Sequence, residues 1–128
     1  MLRVLVRGSK GEGLTGASYT PSTSTVDMTG TINTGTQTIT LTKGTSSTFV
    51  GCGNPFPSPV QMNTVAKGSN VGANYYVWDA TSGAKGAYIT NAFTASYILP
   101  INGAFFTTVS ANSNNTLTFE EADKSGST

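Results

Sequence analysis

The stretch Thr36-Gln37-Thr38-Ile39-Thr40-Leu41-Thr42 decides the fold class. Ile39 and Leu41 fall on one phase of a two-residue period, and Thr36, Thr38, Thr40 and Thr42 fall on the other. A strand sends alternate side chains to opposite faces, so this run reads as a half-buried β-strand. Its β-branched threonines suit a pleated surface. Upstream, Val26, Met28 and Ile32 share a phase against Asp27, Thr29, Thr31 and Asn33, and Asn33-Thr34-Gly35 supplies turn chemistry. The two runs predict a β-hairpin.

The same punctuation continues along the chain. Leu2, Val4 and Val6 predict a first strand, and the polar stretch Gly8 to Thr25 a long loop or a weak edge segment. Further strands are expected at Thr48–Gly51, Tyr75–Asp79, Ala87–Thr90, Tyr97–Ile101, Ala104–Ser110 and Thr116–Glu120. Asn112-Ser-Asn-Asn115 reads as the turn of a hairpin joining the last two, with Leu117 and Phe119 on one face. No apolar period of 3.6 residues is sustained, and Val60–Ala66 holds one helical turn at most. Roughly eight to ten short strands predict an all-β antiparallel sandwich or jelly roll. Crossover helices, which a parallel α/β sheet needs, are missing from the pattern.

Composition agrees. The 128 residues suit a single domain, 1–128, able to bury a core without metals or disulfides. Charged residues are 10% and aromatics 9%, with 15 Gly. Low charge with that many aromatics separates a folded β domain from a disordered chain. The net charge is +1 and the basic residues are scattered, so nucleic acid is not an expected partner. No apolar run approaches the ~20 residues that cross a bilayer, so membrane insertion is not expected. Arg3 and Arg7 interrupt the apolar start too early for a signal peptide.

Candidate chemistry is sparse. The chain has no His, the usual general base and the commonest metal ligand. Of its acids, Asp27 and Asp79 sit at polar strand positions or ends, where solvation or turn capping is the ordinary outcome. Glu120, Glu121 and Asp123 lack the spacing of a calcium loop and read as a solvated chain end. Cys52 has no partner and no neighbouring base, and reads as a small buried hydrophobe. No enzymatic activity and no cofactor are expected.

Aromatic residues are the most informative feature. On one strand, Tyr76 and Trp78 share a face and Tyr75 and Val77 share the other. Trp78, the single Trp, reads as a core anchor, with a ligand platform as the alternative. Tyr75, Tyr76, Trp78 and Phe106 are the candidate ligand or interface residues, and Phe105 and Phe106 must point to opposite faces. The threonines at 29, 31, 36, 38 and 40 would form ladders on one outer face, which reads first as sheet stabilisation and second as an ordered-water surface.

Gly51-Cys-Gly-Asn-Pro-Phe-Pro-Ser-Pro59 resembles the GNPYPSP segment of secreted Bacteroidetes proteins, many of which carry a C-terminal sorting domain for type IX secretion. The likeness continues in order. Leu5–Gly8 resembles RVFVRG, Met28–Thr36 resembles TGTLNTG, and Tyr76–Asp79 resembles YVWDP. Pro100–Phe106 resembles IPPGQAFFV and Leu117–Lys124 resembles LTFTEADK. The resemblance implies a secreted or cell-surface β module within a larger polypeptide. Cys52-Gly53 departs from the motif's usual entry, and residues 1–128 do not themselves include a stretch that resembles the sorting domain.

Read physically, Pro55, Pro57 and Pro59 fix φ and remove three donors, and each restrains the residue before it. Asn54, Pro55, Phe56, Pro57 and Pro59 therefore predict a stiff crossover that places Phe56, with a cis proline as one way to turn it. The expected function is a structural or adhesive extracellular module whose partners are neighbouring domains. The alternatives are a filament subunit exchanging the Leu2–Val6 strand with identical subunits, and a carbohydrate-binding module stacking glycans on Tyr75, Tyr76 or Trp78.

Overall fold

The alternating run becomes β1 (Gln37–Thr40), and its phase holds: Ile39 is half-buried, Leu41 is buried, and Thr38 and Thr40 are exposed. In the computed structural model the described residues are 25 and 29–126. The chain divides into two units, Ile32–Thr128 and Leu2–Thr31. In the second, residues 25 and 29–31 are exposed and carry no regular structure. The expected Leu2–Val6 strand, the polar segment from Gly8, and Val26, Asp27 and Met28 lie outside the described residues.

The first unit is an all-β sandwich. After β1 come β2 (Phe49–Gly53), β3 (Val60–Gln61), β4 (Ala66–Lys67) and β5 (Val71–Asp79). Then come β6 (Ala87–Ala92), β7 (Ile98–Leu99), β8 (Ala104–Val109), β9 (Thr116–Phe119) and a 3-10 turn at Glu121–Asp123. The strands form a sheet of order β1-β9-β4, a sheet of order β2-β8-β5-β6, and the pair β3-β7. Every pairing is antiparallel.

Among the described residues neither of two expected hairpins is formed. β1 pairs with β9, setting Ile39 opposite Leu117 and Gln37 opposite Phe119. Leu117 and Phe119 are fully buried, so this register gives the apolar phase of β1 a core to join. Residues 29–34 form no strand, and Ile32 is 65% exposed. The second error concerns β8 and β9. Both edges of β8 are occupied, by β2 and β5, so β9 cannot add to it. The polar turn at Asn112–Asn115 instead carries the chain from one sheet to the other. Asn115 is buried there, its Nδ2 donating to the Leu41 carbonyl at 2.6 Å while its own carbonyl accepts from Leu41 N at 2.8 Å.

One hydrophobic cluster joins the sheets. It includes Leu41, Val60, Met62, Leu99, Leu117 and Phe119, with Tyr75, Phe93 and Phe105 from the four-stranded sheet's side. The Tyr75 ring meets Phe93 at 4.9 Å and Phe105 at 5.5 Å between centroids. Each fully buried side chain of this size contributes about 1.5–3 kcal/mol through the area it removes from water. Thr107 is also fully buried, and its Oγ1 donates to the Asn74 carbonyl at 2.9 Å.

Candidate binding face

The registers of the four-stranded sheet sort its side chains onto two faces. Cys52, Phe105, Thr107 and Tyr75 stand in adjacent positions facing the core. Their neighbours along each strand face outward: Phe49 on β2, Phe106 on β8, Tyr76 and Trp78 on β5, and Tyr88 on β6. Tyr76 lies directly opposite Phe106, and Trp78 directly opposite Tyr88. The other outward positions are Gly51, Gly53, Asn74, Ala104, Thr108, Thr90 and Ala92, so this part of the face carries no charge.

The five rings form two contacting groups that adjoin where Tyr76 stands opposite Phe106. Phe49 and Tyr76 meet at 5.5 Å and 63°, Tyr88 and Phe106 at 5.8 Å and 77°, and Trp78 and Tyr88 at 5.1 Å and 72°. These are the tilted, edge-to-face geometries that aromatic quadrupoles favour. Phe49 is 52% exposed, and Trp78 and Tyr88 are each 47% exposed. Between Phe49, Tyr76, Tyr88 and Phe106 lies an open hollow of about 290 Å³ with an almost wholly apolar lining.

These positions revise two expectations. Trp78 is not a core anchor. That place belongs to Tyr75, which is fully buried and so is withdrawn from the candidate ligand residues. Tyr76 and Phe106 do reach the outer face, half-buried among their neighbours. Burial pushes the Tyr75 phenol up to about 12. The indole of Trp78 lies over the turn between β5 and β6. Gly86 there has φ +76°, and a Cβ on it would meet Trp78 Cζ2 at 2.5 Å. That position requires glycine twice over, for its left-handed backbone and for the indole's approach.

The proline motif is architectural. Asn54 Oδ1 accepts from Phe56 N at 2.9 Å, while its Nδ2 donates to the carbonyls of Ser58 at 2.8 Å and Pro100 at 3.1 Å. Its backbone N–H donates to Gly103 at 2.9 Å. One side chain thus ties the crossover to the turn before β8. Phe56 is buried, Pro59 is buried, and Pro55 and Pro57 are progressively more exposed. No peptide bond among the described residues is cis, so hydrogen bonding by Asn54 makes the turn instead. The Lys124 ammonium sits 4.4 Å from the Phe56 ring centroid, and Ser125 N donates to the Pro59 carbonyl at 2.8 Å.

In the acidic cluster Glu120 and Glu121 are exposed, as a solvated end would be, and Asp123 departs from that reading. Asp123 is buried, and its Oδ2 accepts from Glu120 N at 2.8 Å. Glu120 accepts from Thr36 Oγ1, and Glu121 from Gly35 N and Lys124 Nζ. The Lys124 and Gly35 hydrogen bonds hold the Glu121 carboxyl below its ordinary range. Asp79 caps the following turn, accepting from Thr81 N and Oγ1, which lowers its pKa. Cys52 is buried as expected, and desolvation raises its thiol to about 11. Thr29 and Thr31 lie in no strand, so the expected ladder with Thr36, Thr38 and Thr40 does not form; Thr38 instead stands opposite Thr118 on β9, their hydroxyls 3.4 Å apart.

Comparison with protein-family models, curated proteins and solved structures returned no match to this chain. The site is therefore read from its own geometry. Sequence reasoning missed Phe49, Tyr88 and Gly86. Tyr88 alternates with Ala87 and Ile89, and its phase was readable. Its side of the sheet was not, because that depends on pairing with Trp78 across the turn. Phe49 was hidden by its distance from β5, since β8 stands between them.

Proposed function

We propose that this chain is a non-catalytic structural or adhesive module of a secreted or cell-surface protein, and that it makes contact through the outer face of its four-stranded sheet. The observation that carries this reading is the aromatic patch itself. Five rings from four strands lie side by side, three of them about half exposed. A contiguous exposed apolar patch of this kind marks an interaction surface more often than an isolated exposed residue does. The ordered resemblance of Asn54–Pro59, Tyr76–Asp79 and Leu117–Lys124 to segments of secreted Bacteroidetes proteins supports the extracellular setting.

The experiment is sedimentation of the purified domain with bacterial envelope fractions and with a panel of insoluble polysaccharides. Attachment that weakens at least tenfold in Trp78→Ser/Tyr88→Ser supports the reading; attachment unchanged by those substitutions, or none to any surface, counts against it. A second reading, carbohydrate binding by stacking, is favoured by one observation, the outward exposure of the only Trp. Selective sedimentation with one polysaccharide would support it.

A further inference from the structure

The arrangement of the rings narrows the chemistry of what this face holds, an inference that rests on reading the face as a contact surface. A flat sugar needs coplanar ring faces to lie on, and buried hydroxyls need hydrogen-bond partners. The hollow between Phe49, Tyr76, Tyr88 and Phe106 offers neither. The two ring pairs around the hollow meet at 63° and 77°, so they build walls and a floor, not a platform. The lining supplies almost no polar atoms. A primary ammonium would likewise lose its hydrogen bonds to water without replacement. A quaternary ammonium has no N–H to satisfy, spreads its charge over methyl groups, and is attracted to several ring faces at once.

We propose that the hollow bounded by Phe49, Tyr76, Tyr88 and Phe106 binds a trimethylammonium group. Tyr76 and Phe106 form its base, fixed as direct cross-strand partners, and their half-burial holds them in place. Phe49 and Tyr88 form its sides from the two outer strands of the sheet. The absence of charge at the neighbouring outward positions leaves the ring quadrupoles as the attraction, so binding is weak for one group. A surface displaying many such groups would hold many copies, which suits an adhesive module.

The test is titration of the intact protein with choline, with tetramethylammonium, and with 3,3-dimethylbutan-1-ol, the neutral isostere of choline, followed by NMR. The expected result is saturable shifts at Tyr76, Tyr88 and Phe106 with both cations, and binding of the neutral alcohol weaker by about threefold or more. Tyr88→Leu and Phe49→Leu keep an apolar side chain but remove a ring face, and each is expected to weaken choline binding about threefold with an unchanged amide spectrum elsewhere. Sedimentation with phosphatidylcholine vesicles separates the sources. Binding to vesicles as well as choline assigns a lipid headgroup, and binding to choline alone assigns a free or polymer-borne group. Equal affinity for the neutral isostere, or no saturable shift with either cation, overturns the proposal. If envelope attachment still depends on Trp78 and Tyr88 in that case, the contact-surface reading stands and only the ligand class is lost.

Discussion

The side-chain amide of Asn54 donates to the carbonyl of Pro100 at 3.1 Å, across 46 residues of sequence. The same amide reaches Ser58, and the Asn54 carbonyl oxygen accepts from Phe56 N. Asn54→Ala removes the side-chain partner of Phe56 N and of the Ser58 carbonyl, both partly buried, while the Pro100 carbonyl keeps its bond from Gly103 N. Unsatisfied buried groups of this kind cost about 1–3 kcal/mol each, and partial rehydration reduces the sum. The expected loss is about 2–4 kcal/mol of unfolding free energy, measured by urea denaturation. A loss within experimental error would remove Asn54 from its central role in the crossover.

Cys52 is buried and its thiol is raised to about 11 from an ordinary 9.0. Only the thiolate attacks disulfides, so a shift of that size lowers the reactive fraction near neutral pH about a hundredfold. Native protein is expected to react slowly with Ellman's reagent and to react fully in denaturant. The linkage runs in the same direction. A thiol held neutral by the fold contributes stability that is complete below pH 9 and is lost as pH rises through 11. Rapid labelling of the native protein would contradict the burial of Cys52.

Glu121 behaves with the opposite sign. Its folded pKa lies below the ordinary 4.5, because Lys124 and Gly35 N–H favour the carboxylate. Its contribution is therefore present above pH 4.5 and is lost as pH falls through the lower folded value. Thermal unfolding followed from pH 6 to pH 3 is expected to show a shallower fall in Tm for Glu121→Gln than for the parent protein. Identical slopes would show that the Gly35–Glu121–Lys124 link is without thermodynamic consequence.

Gly86 and Trp78 are linked sterically. Gly86→Ala places a methyl group where the indole lies and puts a non-glycine residue at φ +76°. The substitution is expected to destabilise by about 1–3 kcal/mol. It is also expected to move the indole. Trp78 is the single Trp, so its emission reports the change directly, and a shift in emission maximum is the expected result. An unchanged spectrum would contradict the contact.

How much was legible depends on the range of the information. Period-2 alternation disclosed the phase of β1, the opposed faces of Tyr75 and Tyr76, and the burial of Leu117 and Phe119. Each of these needs only neighbours along the strand. It did not disclose that β1 pairs with β9, because Ile39 and Leu117 are far apart in sequence and any apolar strand presents the same phase. It likewise could not tell the core face of β5 from the outer face. Both carry aromatics, and only the positions opposite them differ: Thr107 and Asn91 beside Tyr75, Phe106 and Thr90 beside Tyr76. Asp123 read as solvated because its burial depends on contacts that the tail makes with the proline crossover.

The division of β5 into a core tyrosine and an outward tryptophan is the centre of the account. It is tested by measuring stability and envelope attachment together in Tyr75→Ala and in Trp78→Ser/Tyr88→Ser. Truncating the fully buried Tyr75 is expected to cost about 3–5 kcal/mol. The outer-face double variant is expected to cost about 1–2 kcal/mol, clearly less than Tyr75→Ala, since its rings are only half-buried, while attachment falls at least about tenfold, a binding loss of about 1.4 kcal/mol. An outer-face variant that unfolds like Tyr75→Ala, or that attaches as firmly as the parent protein, would contradict it.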